Sequence, residues 1–183
     1  MPVVTPVQAL GIGWVVAPLL FLASAYFTRA SRRRIVGALA GAMAYAALTY
    51  LWDLVAAVAG WWHYPFDPTI TGRMLALYVP AGLVAGGAFG LVGWRSTRRF
   101  GWQGLAVFLL GWGLWGAVHD IGGSAVFASS QLMVFASGLT PVVADFLNYA
   151  SCGAVAQLAI RLVAGPADPD LLRRTKAETA GSR

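Results

Sequence analysis

Residues 35–60 read IVGALAGAMAYAALTYLWDLVAAVAG, and no charged side chain appears in them before Asp53. A bilayer's hydrocarbon core is about 30 Å thick, and an α-helix needs roughly 20 mostly apolar residues to cross it. Lipid offers backbone N–H and C=O groups no water, so a crossing segment of this kind closes its own bonds as a helix. Residues 74–94 and 100–118 are equally free of charge. The pattern predicts an all-α fold, a polytopic integral membrane helical bundle.

Composition agrees. Of 183 residues, 58% are apolar and only 11% charged, whereas a soluble domain carries about 25% charged residues. The 22 glycines also suit transmembrane helices. A net charge of +6 raises the question of nucleic acid. The basic residues, however, stand in short clusters between apolar runs, which marks cytoplasmic loops rather than a DNA-binding stripe. The expected partner is the lipid bilayer, with no nucleic acid. Cys152 is the single cysteine and lies in an apolar segment, which excludes an intrachain disulfide and argues against a thiolate metal site. No basic stretch precedes the first apolar run, so that helix is expected to be retained rather than removed as a signal.

Five spans are expected, over residues 6–27, 35–59, 74–94, 102–120 and 141–163. Pro141 fits a first helical turn, where its missing N–H costs nothing. Residues 121–140 are apolar enough for a sixth span but rich in Ser and Gly. Charge decides between five and six. Arg29, Arg32, Arg33 and Arg34 follow the first span, Arg95, Arg98 and Arg99 the third, and Arg173, Arg174 and Lys176 the last. Only an odd number of spans places all three clusters in the cytoplasm, with the N-terminus outside. The outer segments then hold a single basic residue, Arg73. Residues 121–140 are therefore read as an interfacial or re-entrant element, with six spans as the alternative. Residues 1–165 form the bundle, and 166–183 a polar cytoplasmic tail. The chain is placed in the inner (plasma) membrane as a multi-pass protein.

Ionisable residues inside a membrane are costly and point to function. Asp53, His119, Asp120 and Asp145 are the candidates. Asp53 lies about nineteen residues into an outward-running helix, hence near the outer leaflet at 1.5 Å per residue. His119 and Asp120 end the fourth span on that side, and Asp145 lies one turn into the inward-running fifth. His63, Tyr64 and Asp67 belong to the loop above. All seven share one depth. Helical spacing sorts them further: Tyr45, Thr49 and Asp53 share a face, as do Trp112, Trp115 and His119, and Asp145, Asn148 and Cys152 form a third stripe beside Tyr149. Facing inward, these stripes would wall an aromatic cavity with carboxylates near its mouth. The competing reading makes Trp61, Trp62 and Trp102 interfacial anchors, and lets Asp145 serve the free amides of its own helix.

Several chemistries are excluded. Lys176 is the only lysine and lies in the tail, which rules out a retinal Schiff base or lysine nucleophile. The two histidines do not supply the His clusters of membrane di-iron oxygenases. Nothing resembles a Walker A loop. No metal site and no cofactor are expected.

The segment LWDLVAAVAGWWHYP (51–65), followed by TGRMLALYVPAG (71–82), resembles the small integral-membrane cyclases of isoprenoids, of the heterodimeric lycopene cyclase type and its meroterpenoid relatives. Asp53, Gly60, Trp62 and Tyr64 match the span that carries an Asp and ends in a G-x-W-x-Y-like motif, and Pro80 matches the opening of the next helix. Ala81 and Gly82 stand where that family has paired acids. The resemblance implies a lipophilic polyene substrate, protonated by a carboxyl group kept neutral in a dry pocket. The carbocation is then stabilised by aromatic faces, each contact worth about 2 kcal/mol or more when desolvated. Asp53 suits the acid, with Trp52 and Tyr45 beside it. Asp145 or the His119/Asp120 pair suits the base. Trp62, Tyr64, Trp112, Trp115, Asn148 and Tyr149 would contact substrate. The alternatives are a non-enzymatic subunit of a larger complex, and a small proton-coupled transporter. A homo-oligomer or a complex partner is left open.

Overall fold

The computed structural model describes residues 6–65, 72–126 and 133–166. Asp67 and the tail, with Arg173, Arg174 and Lys176, lie outside the described residues.

The chain runs as α1 (Pro6–Phe27), α2 (Arg32–Ala59), β1 (Trp62–His63), α3 (Gly72–Gly82), a π-helical segment (Leu83–Ala88), α4 (Phe89–Phe100), α5 (Trp102–Val126), β2 (Val134–Phe135) and α6 (Leu139–Ala164). The α3, π and α4 stretches follow one another without a break. Pro80 lies just before the widened turn, where its missing N–H removes one α-type bond. α2 ends at Gly60, whose φ of +68° is left-handed and cheap for glycine alone. Trp61 N–H then donates to the Ala56 carbonyl at 2.9 Å, and the chain doubles back. That reversal lets β1 pair antiparallel with β2, Trp62 opposite Phe135 and His63 opposite Val134.

α2 is the central helix, packed on α6, the π segment and α3, while α5 packs on α6 and α4. α1 lies against the π segment, α3 and α4. Close approach depends on small residues. A Cβ on Gly86 would meet the Gly41 carbonyl oxygen at 2.5 Å and the Tyr45 Cβ at 2.6 Å, so any side chain there would push α2 away. Two polar contacts fix the helices further: Gln157 Nε2 donates to the Gly90 carbonyl at 2.8 Å in a buried bond, and Trp52 Nε1 to Ser151 Oγ at 2.9 Å in a half-buried one.

Large apolar side chains face outward along every long helix, among them Leu19, Leu22, Val58, Leu110, Val118, Leu158 and Leu162. Contiguous exposed apolar surface on this scale marks contact with a nonpolar medium. Among the described residues four helices are long and apolar enough to cross a membrane: Arg32–Ala59, Leu77–Phe100, Trp102–Gly122 and Leu139–Ala164; Gly11–Phe27 is a shorter apolar helix. The fold is thus helical and of membrane-protein character.

The stretch 121–140, expected as an interfacial or re-entrant element, is described in part. α5 continues to Val126. Val134–Phe135 forms a strand and α6 begins at Leu139. Residues 127–132 lie outside the described set.

Candidate functional site

Asp53 is 2% exposed, less than two turns from the end of α2, and it accepts from three aromatic donors. Trp62 Nε1 donates to Oδ1 at 2.8 Å. Tyr64 Oη lies 3.2 Å from each carboxyl oxygen. Tyr78 Oη, from α3, donates to Oδ2. The sequence arranges this cage locally: the left-handed Gly60 folds the Trp62–Tyr64 segment back over the helix that carries Asp53. The Trp62 ring is then held against Phe135 of β2 at a centroid distance of 5.7 Å. An indole N–H can only donate, so Trp62 fixes Oδ1 as an acceptor. Tyr64 lies beyond the end of α2. Its burial, then the neighbouring Asp53 carboxyl, holds its hydroxyl well above the ordinary tyrosine range, and it keeps its proton.

Asp53 opens onto a cavity of about 500 Å³, within the size range of small-molecule sites. Five groups of helical residues wall it, together with Tyr64 and Met133 from the connecting segments. α2 contributes Tyr45, Thr49 and Asp53; α3 and the π segment contribute Tyr78, Pro80, Val84 and Ala85; α5 contributes Trp112, Trp115, His119 and Asp120; α6 contributes Asn148 and Tyr149; and α1 closes the side with Gly13, Val16 and Ala17. The predicted stripes on α2 and α5 therefore do face one space.

The α5 wall is a run of stacked rings. Trp112 and Trp115 lie 4.8 Å apart at 17°, and Trp115 and His119 lie 4.7 Å apart at 23°. Tyr149 crosses Trp112 edge-on at 5.9 Å. Its ring reaches this place because Gly116 has no side chain: a Cβ there would overlap the Tyr149 ring. Tyr149 Oη donates to Asp120 Oδ2 at 2.9 Å, and His119 Nδ1 lies 2.8 Å from Asp120 Oδ1. The second carboxyl group is thus oriented through both oxygens. His119 is largely exposed and Asp120 only slightly.

Comparison with family models, with curated proteins and with solved structures finds no significant match.

Three of the expected site residues do not line the cavity. Asp145 is fully buried one turn nearer the start of α6 than Asn148 and Tyr149, so helix pitch carries it past the cavity into packed protein. Trp52 is turned about 100° from Asp53 by the helix and spends its N–H on Ser151. Trp62 stands behind Asp53 and acts on it rather than on the cavity. Cys152, in the third stripe, is buried between Thr49 and Asn148, accepting from Thr49 Oγ1 at 3.5 Å. Conversely, Tyr78 was not singled out in the sequence, although it lies two residues before Pro80 in the segment quoted for the resemblance. Among the described residues no three His, Cys, Asp or Glu side chains come together as a metal site.

Chemically, the arrangement holds one carboxyl group, a facing wall of π surfaces and a second carboxyl group within a single apolar cavity. It can place a proton at one edge of a lipophilic guest, stabilise positive charge in the middle, and accept a proton at another edge.

Proposed function

We propose that the protein is a membrane-embedded, cofactor-independent cyclase or isomerase of an isoprenoid-like lipid. Five spans carry it, with the N-terminal side outside and the C-terminal side cytoplasmic. α1, at 22 residues, reaches about 33 Å at 1.5 Å per residue, enough to be the fifth crossing. The orientation is supported by the arginines of the α1–α2 turn and of α4, which gather at the end of the bundle away from Asp53 and Asp120.

The observation that carries the reading is the caged carboxyl of Asp53 on the wall of a mainly aromatic and aliphatic cavity that also holds Asp120. A carboxyl group that merely stabilised the fold would gain nothing from facing such a space. In the proposed reaction protonated Asp53 delivers its proton to an alkene carbon or an epoxide oxygen. The cation that results is attacked by a second alkene of the same chain, closing a C–C bond, while its charge faces Trp112, Trp115 and Tyr149. Polarisable rings stabilise such a charge without forming a bond to it. Asp120, oriented by Tyr149 and His119, takes the proton from the carbon next to the final cation, which leaves a double bond. One proton enters and one leaves, so the product is an isomer of the substrate. Water returns Asp53 and Asp120 to their starting states.

A bilayer lipid reaches the cavity between α1 and α5, which wall it from two sides; α1 packs on α3, the π segment and α4, and α5 on α4 and α6. The test is turnover by the purified protein in detergent, without added cofactor, against a panel of polyprenyl olefins and terminal epoxides. Conversion to a cyclic isomer that is lost in Asp53→Asn supports the proposal. A panel left unconverted by folded protein contradicts it.

A further inference from the structure

Asp145 is a costly group that the proposed reaction leaves unused. It is fully buried in α6, and neither carboxyl oxygen has a hydrogen-bond partner. Three neutral side chains, Trp94, Trp112 and Gln157, also bury a polar atom without a partner; among the described residues Asp145 is the only ionisable one that does. A buried carboxylate without a donor costs far more than the same group carrying its proton. An apolar side chain of similar size would leave no polar atom unpaired and would pack as well. The carboxyl is thus kept there against stability.

Its surroundings point to a use. α6 packs on α2, which carries Asp53, and on α5, which carries Asp120. Ala144, immediately before Asp145, packs with Trp62, whose N–H donates to Asp53. Tyr149, one turn beyond it, donates to Asp120. Asp120, Asp53 and His119 all act on Asp145 electrostatically, Asp120 more strongly than the other two, and Asp145 acts in turn on Tyr45 and Tyr149. The Asn148 amide, three residues on, acts on it as well, without a hydrogen bond of normal geometry. A third carboxyl therefore stands behind the cavity wall, within reach of the two that line it.

We propose that Asp145 is a proton store that reloads Asp53 after each turnover. The proposal rests on the cyclase reading above. At the end of one turnover Asp53 is a carboxylate and Asp120 holds the proton taken from carbon. Asp53 is 2% exposed and enclosed by Trp62, Tyr64 and Tyr78, so a lipophilic product in the cavity keeps water from that side. Asp145 gives its own proton to Asp53 through bridging water and takes one from Asp120 by the same means. All three groups are then as they began, and only O–H bonds have been made and broken. Water remains the carrier, and Asp145 is its station between the two sites.

The test compares the first turnover of the full chain in detergent with later ones, on the same polyprenyl olefins and terminal epoxides. Asp145→Asn should complete its first turnover at the wild-type rate and later ones about 10²-fold more slowly, a split that a packing defect does not produce. Asp145→Leu should show the same split and melt no lower than wild type. Infrared difference spectra of wild type against Asp145→Asn, at neutral pH and without substrate, should contain the carbonyl stretch of one protonated carboxyl. A carboxylate stretch in its place, a first turnover slowed as much as later ones, later turnovers unchanged in Asp145→Asn, or a markedly lower melting temperature for Asp145→Leu would overturn the proton store while leaving the cyclase standing. Wild-type protein that converts nothing would overturn the cyclase reading and the store with it.

Discussion

Replacing Trp62 by Phe removes one N–H donor from the Asp53 carboxyl and leaves an aromatic ring in its place. In the wild type that N–H lies 2.8 Å from Oδ1, and both partners are 2% exposed, so no bulk water can substitute for it. Leaving a buried acceptor short of a donor costs about 1–3 kcal/mol in soluble proteins. Hydrogen bonds between membrane helices average nearer 0.6 kcal/mol and reach about 1.7. Tyr64 and Tyr78 remain to share the carboxyl, which pulls the value toward the lower figures, whereas burial pulls it up. The expected loss is about 1–2 kcal/mol. Measured by reversible unfolding in mixed micelles, this should become small in an Asp53→Ala background, because the acceptor is already gone. The coupling between the two substitutions should exceed about 0.5 kcal/mol, the usual error of additivity for independent sites. A Trp62→Phe cost that is the same in both backgrounds would show that the indole acts through packing alone and would refute the cage.

Gly116→Ala forces the Tyr149 ring off α5; overpacking of this kind costs about 1–3 kcal/mol, and turnover should fall with it as Asp120 loses its orienting hydroxyl. Asp120→Asn keeps an acceptor for Tyr149 but cannot take up a proton, so kcat should drop about 10²- to 10⁴-fold with substrate binding little changed; a kcat within twofold of wild type would remove Asp120 from the reaction. Because Cys152 is buried, introduced thiols can be labelled against a quiet background. Ala30→Cys should react only from the cytoplasmic side and His63→Cys only from the outer side, and labelling of both from one side would reverse the topology.

The helical, membrane-protein character is legible because hydrophobic length is a one-dimensional property that the charge gaps at residues 35–51, 74–94 and 100–118 display directly. The common depth of Asp53, Asp120 and Tyr64 followed from counting residues along helices of known rise. Helix rotation was harder to read. In a bundle surrounded by lipid, the outward face is as apolar as the inward one, so neighbours such as Trp52 and Asp53 give no sign of which faces the cavity. Periodicity placed Tyr45 and Thr49 correctly with Asp53 and carried Asp145 along with Asn148, although one turn of α6 separates buried protein from cavity wall. Tyr78 escaped notice because a tyrosine near a helix start also suits an interfacial anchor; only the doubling back at Gly60 and the approach of α3 show it meeting Asp53. The pairing of β1 with β2 was not anticipated, since two-residue strands leave no periodic trace.

The central claim is that Asp53 gives a proton to carbon or oxygen of a lipophilic guest. Turnover of a polyprenyl substrate in deuterium oxide, followed by mass spectrometry and deuterium NMR of the product, tests it directly. A cyclic product carrying one deuterium at the protonation site, absent with Asp53→Asn, is the result predicted here. A product formed without deuterium, or formed equally by Asp53→Asn, would contradict it.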